Sequence, residues 1–135
     1  MKDKILIDTS AWIVSFKKTG SEKLKQKIID SLTSASVVTT NIIILELLQG
    51  CRDKKEYSSM KSRLESLDLL SVNNEVWDIA NITGYSLRKS GITIPTIDII
   101  IASIVKASGC TLLHHDKHFK LIAKKLDISS IDFLS

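Results

Sequence analysis

Short aliphatic runs, each long enough for only a few residues of strand, alternate along this chain with longer segments of helical periodicity. Ile5-Leu6-Ile7 stops at polar Asp8-Thr9-Ser10, where Thr9 or Ser10 can cap a helix with a side-chain oxygen. Over residues 21–32, Leu24, Ile28 and Leu32 fall on one helical stripe. A Val- and Thr-rich run over 35–40 predicts a second strand, after which Asn41 caps a helix over 42–49 that Gly50 ends. There follow a charged helix over 54–67, a third strand over 69–72, and a helix from Asn74 to about residue 89 closed by Gly91. Thr96 opens a further helix to about residue 108, closed by Gly109. Residues 111–114 read as a fourth strand, 119–126 as a helix and 128–133 as a last strand. This order predicts βαβ units, hence an α/β fold with a central parallel sheet and helices on both faces. In such sheets ligands bind beyond the carboxyl ends of the strands.

A length of 135 residues fits one domain over 1–135, large enough to bury a core without staples. Aromatic residues make up 5%, so the core must be aliphatic and little material exists for stacking nucleic-acid bases. The net charge of +4 suits a polyanionic partner, but equally an ordinary basic protein. Cys51 and Cys110 stand in no metal-binding spacing and read as reduced thiols. No apolar run reaches the ~18 residues of a membrane span, and the first residues carry no apolar signal segment. The expected location is the cytoplasm, away from membranes.

Most of the fifteen Asp and Glu residues stand in solvated surroundings such as Arg52-Asp53-Lys54-Lys55-Glu56. Four do not. Asp8 ends an aliphatic run, Glu46 interrupts Ile42-Ile43-Ile44-Leu45 and Leu47-Leu48, Asp98 is set among Ile97, Ile99, Ile100 and Ile101, and Asp116 follows Leu112-Leu113 and two histidines. The Glu46 helix is apolar nearly all round, which predicts a buried helix. Isolated ionised groups in such settings persist only when paired or metal-bound. Each acid singly could be a cap or a hydrogen-bonded buried residue, and the first-turn position of Asp98 is worth only ~0.3–1 kcal/mol against the helix dipole. Together, two lie at strand ends, one in a first helical turn and one on the helix after the second strand, where neighbouring strands would gather them into one crevice. Four carboxylates about 6 Å apart form six like-charge pairs costing on the order of 15 kcal/mol at an effective dielectric of ~20. No basic residue stands inside the four segments to offset this. Oxygen ligands of this kind suit Mg²⁺ or Mn²⁺, which can activate water and stabilise charge on a phosphate. Asp132, also flanked by apolar residues, reads as a plain edge or turn acid.

Four segments match a known family in its order: Leu6-Ile7-Asp8-Thr9-Ser10, Glu46-Leu47-Leu48-Gln49-Gly50, Asp98-Ile99-Ile100-Ile101-Ala102, and Leu112-Leu113-His114-His115-Asp116-Lys117-His118-Phe119. The sequence resembles the PIN-domain nucleases, and among them the short VapC-type toxins of prokaryotic toxin–antitoxin pairs. That resemblance implies a single PIN-like domain and cleavage of RNA phosphodiesters with Mg²⁺ or Mn²⁺. It makes Asp8, Glu46, Asp98 and Asp116 the catalytic, metal-site acids, with Asp8 and Asp98 as the leading direct ligands. Ser10 becomes a polar helper beside the first acid. A homodimer and a small antitoxin that blocks the site are also implied. The family often carries Thr or Ser where this chain has His114; an imidazole there could reach phosphate or a metal-held water, or be a buried core histidine.

Lys117 and His118 adjoin Asp116 and are candidates for RNA phosphate contacts, as is Arg52 after the Glu46 helix. Lys124 and Lys125 read as a solvated face, Trp12 as core or interface packing, and Trp77 as core. Aliphatic surplus over 42–48 and 99–105 could form a dimer face or an antitoxin groove, with core packing as the plainer reading. Two other classes use strand-end acids. A phosphoaccepting receiver wants two adjacent acids after its first strand, and a haloacid-dehalogenase-like phosphatase wants Asp-x-Asp; here the text is Asp8-Thr9-Ser10. A catalytically silent PIN-like module binding RNA or protein is the remaining alternative.

Overall fold

In a computed structural model of the chain, residues 3–34 and 36–133 are described. Ala35 and Leu134, which the sequence reading places in or beside strands, lie outside them. The aliphatic run Ile5–Ile7 forms β1, buried on both faces, as the centre of a parallel sheet requires. The chain continues through α1 (Thr9–Phe16), α2 (Glu22–Thr33), β2 (Val37–Thr39), α3 (Asn41–Gln49), α4 (Lys54–Glu65), β3 (Asp68–Leu69) and α5 (Asn74–Lys89). It ends with α6 (Thr96–Ser108), β4 (Thr111–His114), α7 (Lys117–Leu126) and β5 (Ser130–Asp132).

The strands lie in the order β3-β2-β1-β4-β5, all parallel. β1 pairs with β2 through Ile5–Val37 and with β4 through Ile5–Thr111, Leu6–Leu112 and Ile7–Leu113. The first two crossovers step outward from β1 through β2 to β3, and the third returns to the other side of β1. The direction of winding therefore reverses between β1 and β4, the switch point beyond whose carboxyl ends such sheets bind ligands. Helices α1 to α4 belong to the crossovers of one half, and α5 to α7 to the other. Leu6, Ile7, Leu112 and Leu113 are fully buried between them, together with Ile101, Ile104, Phe119 and Ile122.

Several ends differ from the sequence reading. Asp8 itself caps α1, accepting from the Ser10 N–H, so neither Thr9 nor Ser10 is the cap. Thr40, without a side-chain cap bond, precedes α3, which already includes Asn41. Helix α7 starts two residues early because Asp116 caps it. The third strand shrinks to Asp68–Leu69, short and exposed as an edge strand should be. Gly109 closes α6 at φ 73°, the left-handed cap that glycine adopts without strain. Gly50 ends α3 at φ −85°, ordinary right-handed backbone, so its glycine is not required by the cap.

Helix α3 is not buried all round. Ile43 and Leu47 enter the core, while Leu45 on the opposite side is 65% exposed. Leu32 faces outward although Leu24 and Ile28 of its stripe are buried. Trp77, read as core, is exposed on α5, and Trp12 is buried. Much of 99–105 is core, with Ile101 and Ala102 fully enclosed. Among the described residues, no helix is long and apolar enough to cross a membrane.

Candidate active site

Both strand-end acids sit at the switch between β1 and β4. The Asp8 N–H extends the β1–β4 ladder by donating to the Leu113 carbonyl at 2.9 Å, which anchors the residue at the mouth of the crevice. Its carboxylate is almost wholly enclosed, and one oxygen accepts from both the N–H and the hydroxyl of Ser10. The Ser10 hydroxyl also accepts from the His115 N–H at 3.0 Å, so this side chain ties the start of α1 to the end of β4. Burial raises the Asp8 pKa above the usual carboxylate value; the Ser10 bonds oppose the rise and the charge of Glu46 adds to it.

Glu46 reaches the crevice from α3. One of its oxygens, Oε1, accepts from the Thr9 hydroxyl at 2.9 Å. Asp98, in the first turn of α6, comes from the other half of the fold. Its pKa is pushed up to about 6, first by burial and then by the charges of Asp116 and Asp8, with Glu46 adding to them and His118 opposing. The four acids that the sequence singled out thus share one crevice, and each feels at least one of the others.

Asp116 caps α7 by accepting from the His118 N–H at 2.8 Å. This cap turns the His118 ring back over the acids. His118 Nδ1 lies 3.1 Å from Asp116 Oδ1 and 3.3 Å from Asp98 Oδ2, and one ligand atom from each of these three residues falls within 4.8 Å of the others. Asp98, Asp116 and His118 thus form a tight trio, with Asp8 bearing on Asp98 through its charge. An imidazole enters the cluster: His118, expected from sequence as a phosphate contact beside Asp116, stands among the acids themselves. The signal was present as Asp116-Lys117-His118: a capping acid brings the residue two positions on back to its own carboxylate.

A divalent cation fits these residues. Asp98 holds its proton more tightly than an ordinary carboxyl because it is buried and because negative charge crowds it, and His118 Nδ1 is buried without a hydrogen-bond partner although two carboxylates stand beside it. A cation accepted by those oxygens and that nitrogen would relieve both conditions.

A family model described as the PIN domain matches residues 5–125. The chain belongs to the PIN domain family. It is 29% identical over 133 residues to a protein named Ribonuclease VapC11 from Mycobacterium tuberculosis, across 96% of this chain and 98% of that one. Its fold is that of solved structures such as VapBC2 from Rickettsia felis bound to a DNA fragment from its promoter, with a TM-score of 0.78, 18% identity and coverage of 96% and 98%. The VapBC-5 structure from Mycobacterium tuberculosis, described as a member of the VapBC family of toxin–antitoxin systems, matches with a TM-score of 0.67 and 16% identity over 97% and 99%.

In this PIN domain the remaining residues singled out from sequence fall into distinct places. His114 is fully buried under the site, its ring against Phe119, its Nδ1 accepting from the Asp116 N–H at 3.3 Å and standing 4.0 Å from Asp132. Burial lowers its pKa, so the imidazole is held neutral. It supports the backbone of Asp116 and offers no surface to a ligand. Arg52 projects into solvent and pairs with Glu56 at 3.2 Å. Lys117 is exposed at the first turn of α7, beside Asp116. Lys124 and Lys125 are exposed in the last turn of α7, where positive charge suits the helix dipole. Asp132, on β5, pairs with Lys120 at 3.5 Å.

A second concavity lies apart from the acids. A groove of about 850 Å³ runs between α1, α2 and α4, with Trp12, Phe16, Ile28, Ile29, Leu32 and Met60 in its lining and Lys25, Lys55 and Arg63 among its polar residues. The sequence reading sought such a groove on 42–48 or 99–105.

Proposed function

We propose that this chain is a divalent-metal-dependent endoribonuclease, a single-domain toxin whose activity an antitoxin partner restrains in the cytoplasm. The observation that carries this reading is the convergence of Asp8, Glu46, Asp98 and Asp116 at the β1–β4 switch, where burial and then the charges of its acidic neighbours push the Asp98 pKa up to about 6. Asp98 and Asp116, with Asp8 behind them, are the residues that would hold Mg²⁺ or Mn²⁺. The ion supplies electrophilic stabilisation of phosphate charge and a more acidic water.

The chain's own residues account for the rest. Ser10 fixes the Asp8 carboxylate, and Thr9 fixes Glu46, the carboxylate to which this reading gives the proton of the attacking water. Lys117, exposed beside the acids, is positioned to hold an RNA phosphate without reading sequence. Ribonuclease activity in a relative of nearly the same length supports RNA as the substrate class.

The groove between α1, α2 and α4 is the docking place we assign to the antitoxin. Its apolar floor suits an apolar segment, and its polar lining mixes Lys25, Lys55 and Arg63 with Asp53 and Glu56. Helix α1 lines this groove through Trp12, Ser15 and Phe16 and is capped at its start by Asp8, so one helix links the docking place to the acids. The dimer expected from the resemblance has exposed apolar side chains to use: Leu45 on α3, Trp77, Ile82 and Tyr85 on α5, and Ile97 on α6.

Incubating total RNA with the purified chain and Mg²⁺ or Mn²⁺ tests the central reading, with EDTA and Asp98→Asn as controls. Cleavage that needs the ion and Asp98 is the expected result. Cleavage unchanged by EDTA or by D98N overturns it, and RNA retained without cleavage favours a binding module.

A further inference from the structure

We propose that His118 is a nitrogen ligand of the cation held by Asp98 and Asp116, so that this site takes a mixed nitrogen–oxygen set rather than carboxylates alone. The inference rests on the reading of the crevice as a cation site and adds a residue to it.

Three observations carry it. First, His118 Nδ1 stands 3.1 Å from Asp116 Oδ1 and 3.3 Å from Asp98 Oδ2. Donors on adjacent corners of an octahedron with bonds of about 2.1 Å stand about 3.0 Å apart, so the two separations match neighbouring ligand positions. Second, the nitrogen is buried although the ring is partly exposed, and it makes a hydrogen bond to neither carboxylate. A ring placed merely to pair with Asp98 or Asp116 would align its N–H with an oxygen. Third, the ring is held where it is by local structure, because the His118 N–H completes the Asp116 cap at 2.8 Å. Ligand and co-ligand are thus fixed together by one turn of backbone.

Imidazole favours first-row transition ions, whereas Mg²⁺ takes oxygen ligands almost exclusively. The His118 donor should therefore raise affinity for Mn²⁺ and add little for Mg²⁺. Mn²⁺ bound to the wild-type chain is to be examined by pulsed electron paramagnetic resonance for modulation from a directly bonded nitrogen. Calorimetric titrations with Mn²⁺ and Mg²⁺ accompany it, on wild type, His118→Ala and Asp98→Asn.

Nitrogen modulation in the wild type, its loss in H118A, and Mn²⁺ affinity lowered on the order of tenfold or more with Mg²⁺ affinity nearly unchanged are the expected results. Bound Mn²⁺ without nitrogen modulation in the wild type overturns the assignment, and so does modulation that persists in H118A; in either case D98N-sensitive Mn²⁺ binding leaves the cation site standing. If the wild type binds Mn²⁺ no better than D98N, the cation-site reading itself fails and the ligand assignment with it.

Discussion

The Thr9 hydroxyl donates to Glu46 Oε1 over 2.9 Å, joining the helix that follows β1 to the helix that follows β2. The residues are 37 positions apart, and neither is on a strand. Of the two acids that are not helix caps, Glu46 alone is held by a side-chain hydroxyl from another helix, and this bond decides which way it faces.

Thr9→Val removes that donor while keeping the shape of the side chain. A hydrogen bond to a charged group is worth about 1.5–3 kcal/mol. If Glu46 acts on the attacking water, kcat for RNA cleavage should fall roughly tenfold to a hundredfold. Thr9→Ser, which restores the hydroxyl, should recover most of it. A steady-state cleavage assay of the three proteins decides the matter; equal rates in wild type and T9V would show that Glu46 needs no positioning.

Ser10→Ala should cost stability rather than activity alone. Its hydroxyl serves Asp8 and the His115 N–H together, and Asp8 is only 4% exposed. Leaving a buried donor and a buried carboxylate each short of a partner costs about 1–3 kcal/mol. Urea denaturation should show a lower midpoint with an unchanged slope.

Strand and helix positions were readable because alternation and stripe patterns follow directly from burial, as Ile5–Ile7 and Leu24 with Ile28 illustrate. The four acids were readable for the same reason, since each interrupts or ends an aliphatic run. Helix starts were less so. A cap is a competition among adjacent polar side chains, and in Asp8-Thr9-Ser10 the acid takes it while the other two bind elsewhere. His118 was legible as a neighbour of the site but not as a member of the acid cluster, because that place depends on the turn made by the Asp116 cap. Trp77 and Leu45 misled because an aliphatic or aromatic residue on a helix marks an apolar face without saying whether this chain or another covers it.

Ile29→Glu should uncouple partner binding from catalysis. Ile29 is 54% exposed and lines the groove between α1, α2 and α4, so the change leaves the core intact. A charge placed in an apolar docking surface costs about 2 kcal/mol or more at a central position, a loss in affinity of roughly thirtyfold or greater. Calorimetry with the cognate antitoxin should show that loss, with RNA cleavage by the free protein unaltered. Wild-type affinity in I29E would place the docking surface elsewhere.

Ile82→Glu addresses the second apolar face. Ile82 and Tyr85 are each 61% exposed on one side of α5, together with Trp77. If that side joins two copies, light scattering should give twice the chain mass for the wild type and the single mass for I82E. A wild type that is already monomeric would remove the dimer from the proposal.

Asp98 makes the stability of the metal-free protein depend on pH in a direction that can be stated in advance. Its pKa stands at about 6 in the folded chain against 3.8 as the ordinary value. The folded state therefore binds this proton more tightly than the unfolded state does. The associated stability is complete below pH 3.8 and is lost as the pH rises through about 6. Between pH 7.5 and pH 5 the gain from this group is about 1.4 kcal/mol. Asp8, also raised, works in the same sense, whereas the lowered pKa of buried His114 removes stability as the pH falls below 6.5. The net curve mixes these, so the comparison that isolates Asp98 is wild type against D98N. D98N should be the more stable protein at pH 7.5, and its advantage should shrink by about that amount at pH 5. Saturating Mn²⁺ should abolish the Asp98 dependence in the wild type, because a bound cation favours the ionised carboxylate at both pH values. Denaturation at the two pH values, with and without Mn²⁺, measures all of this; a D98N advantage independent of pH would mean that neither burial nor acidic neighbours raise the Asp98 pKa.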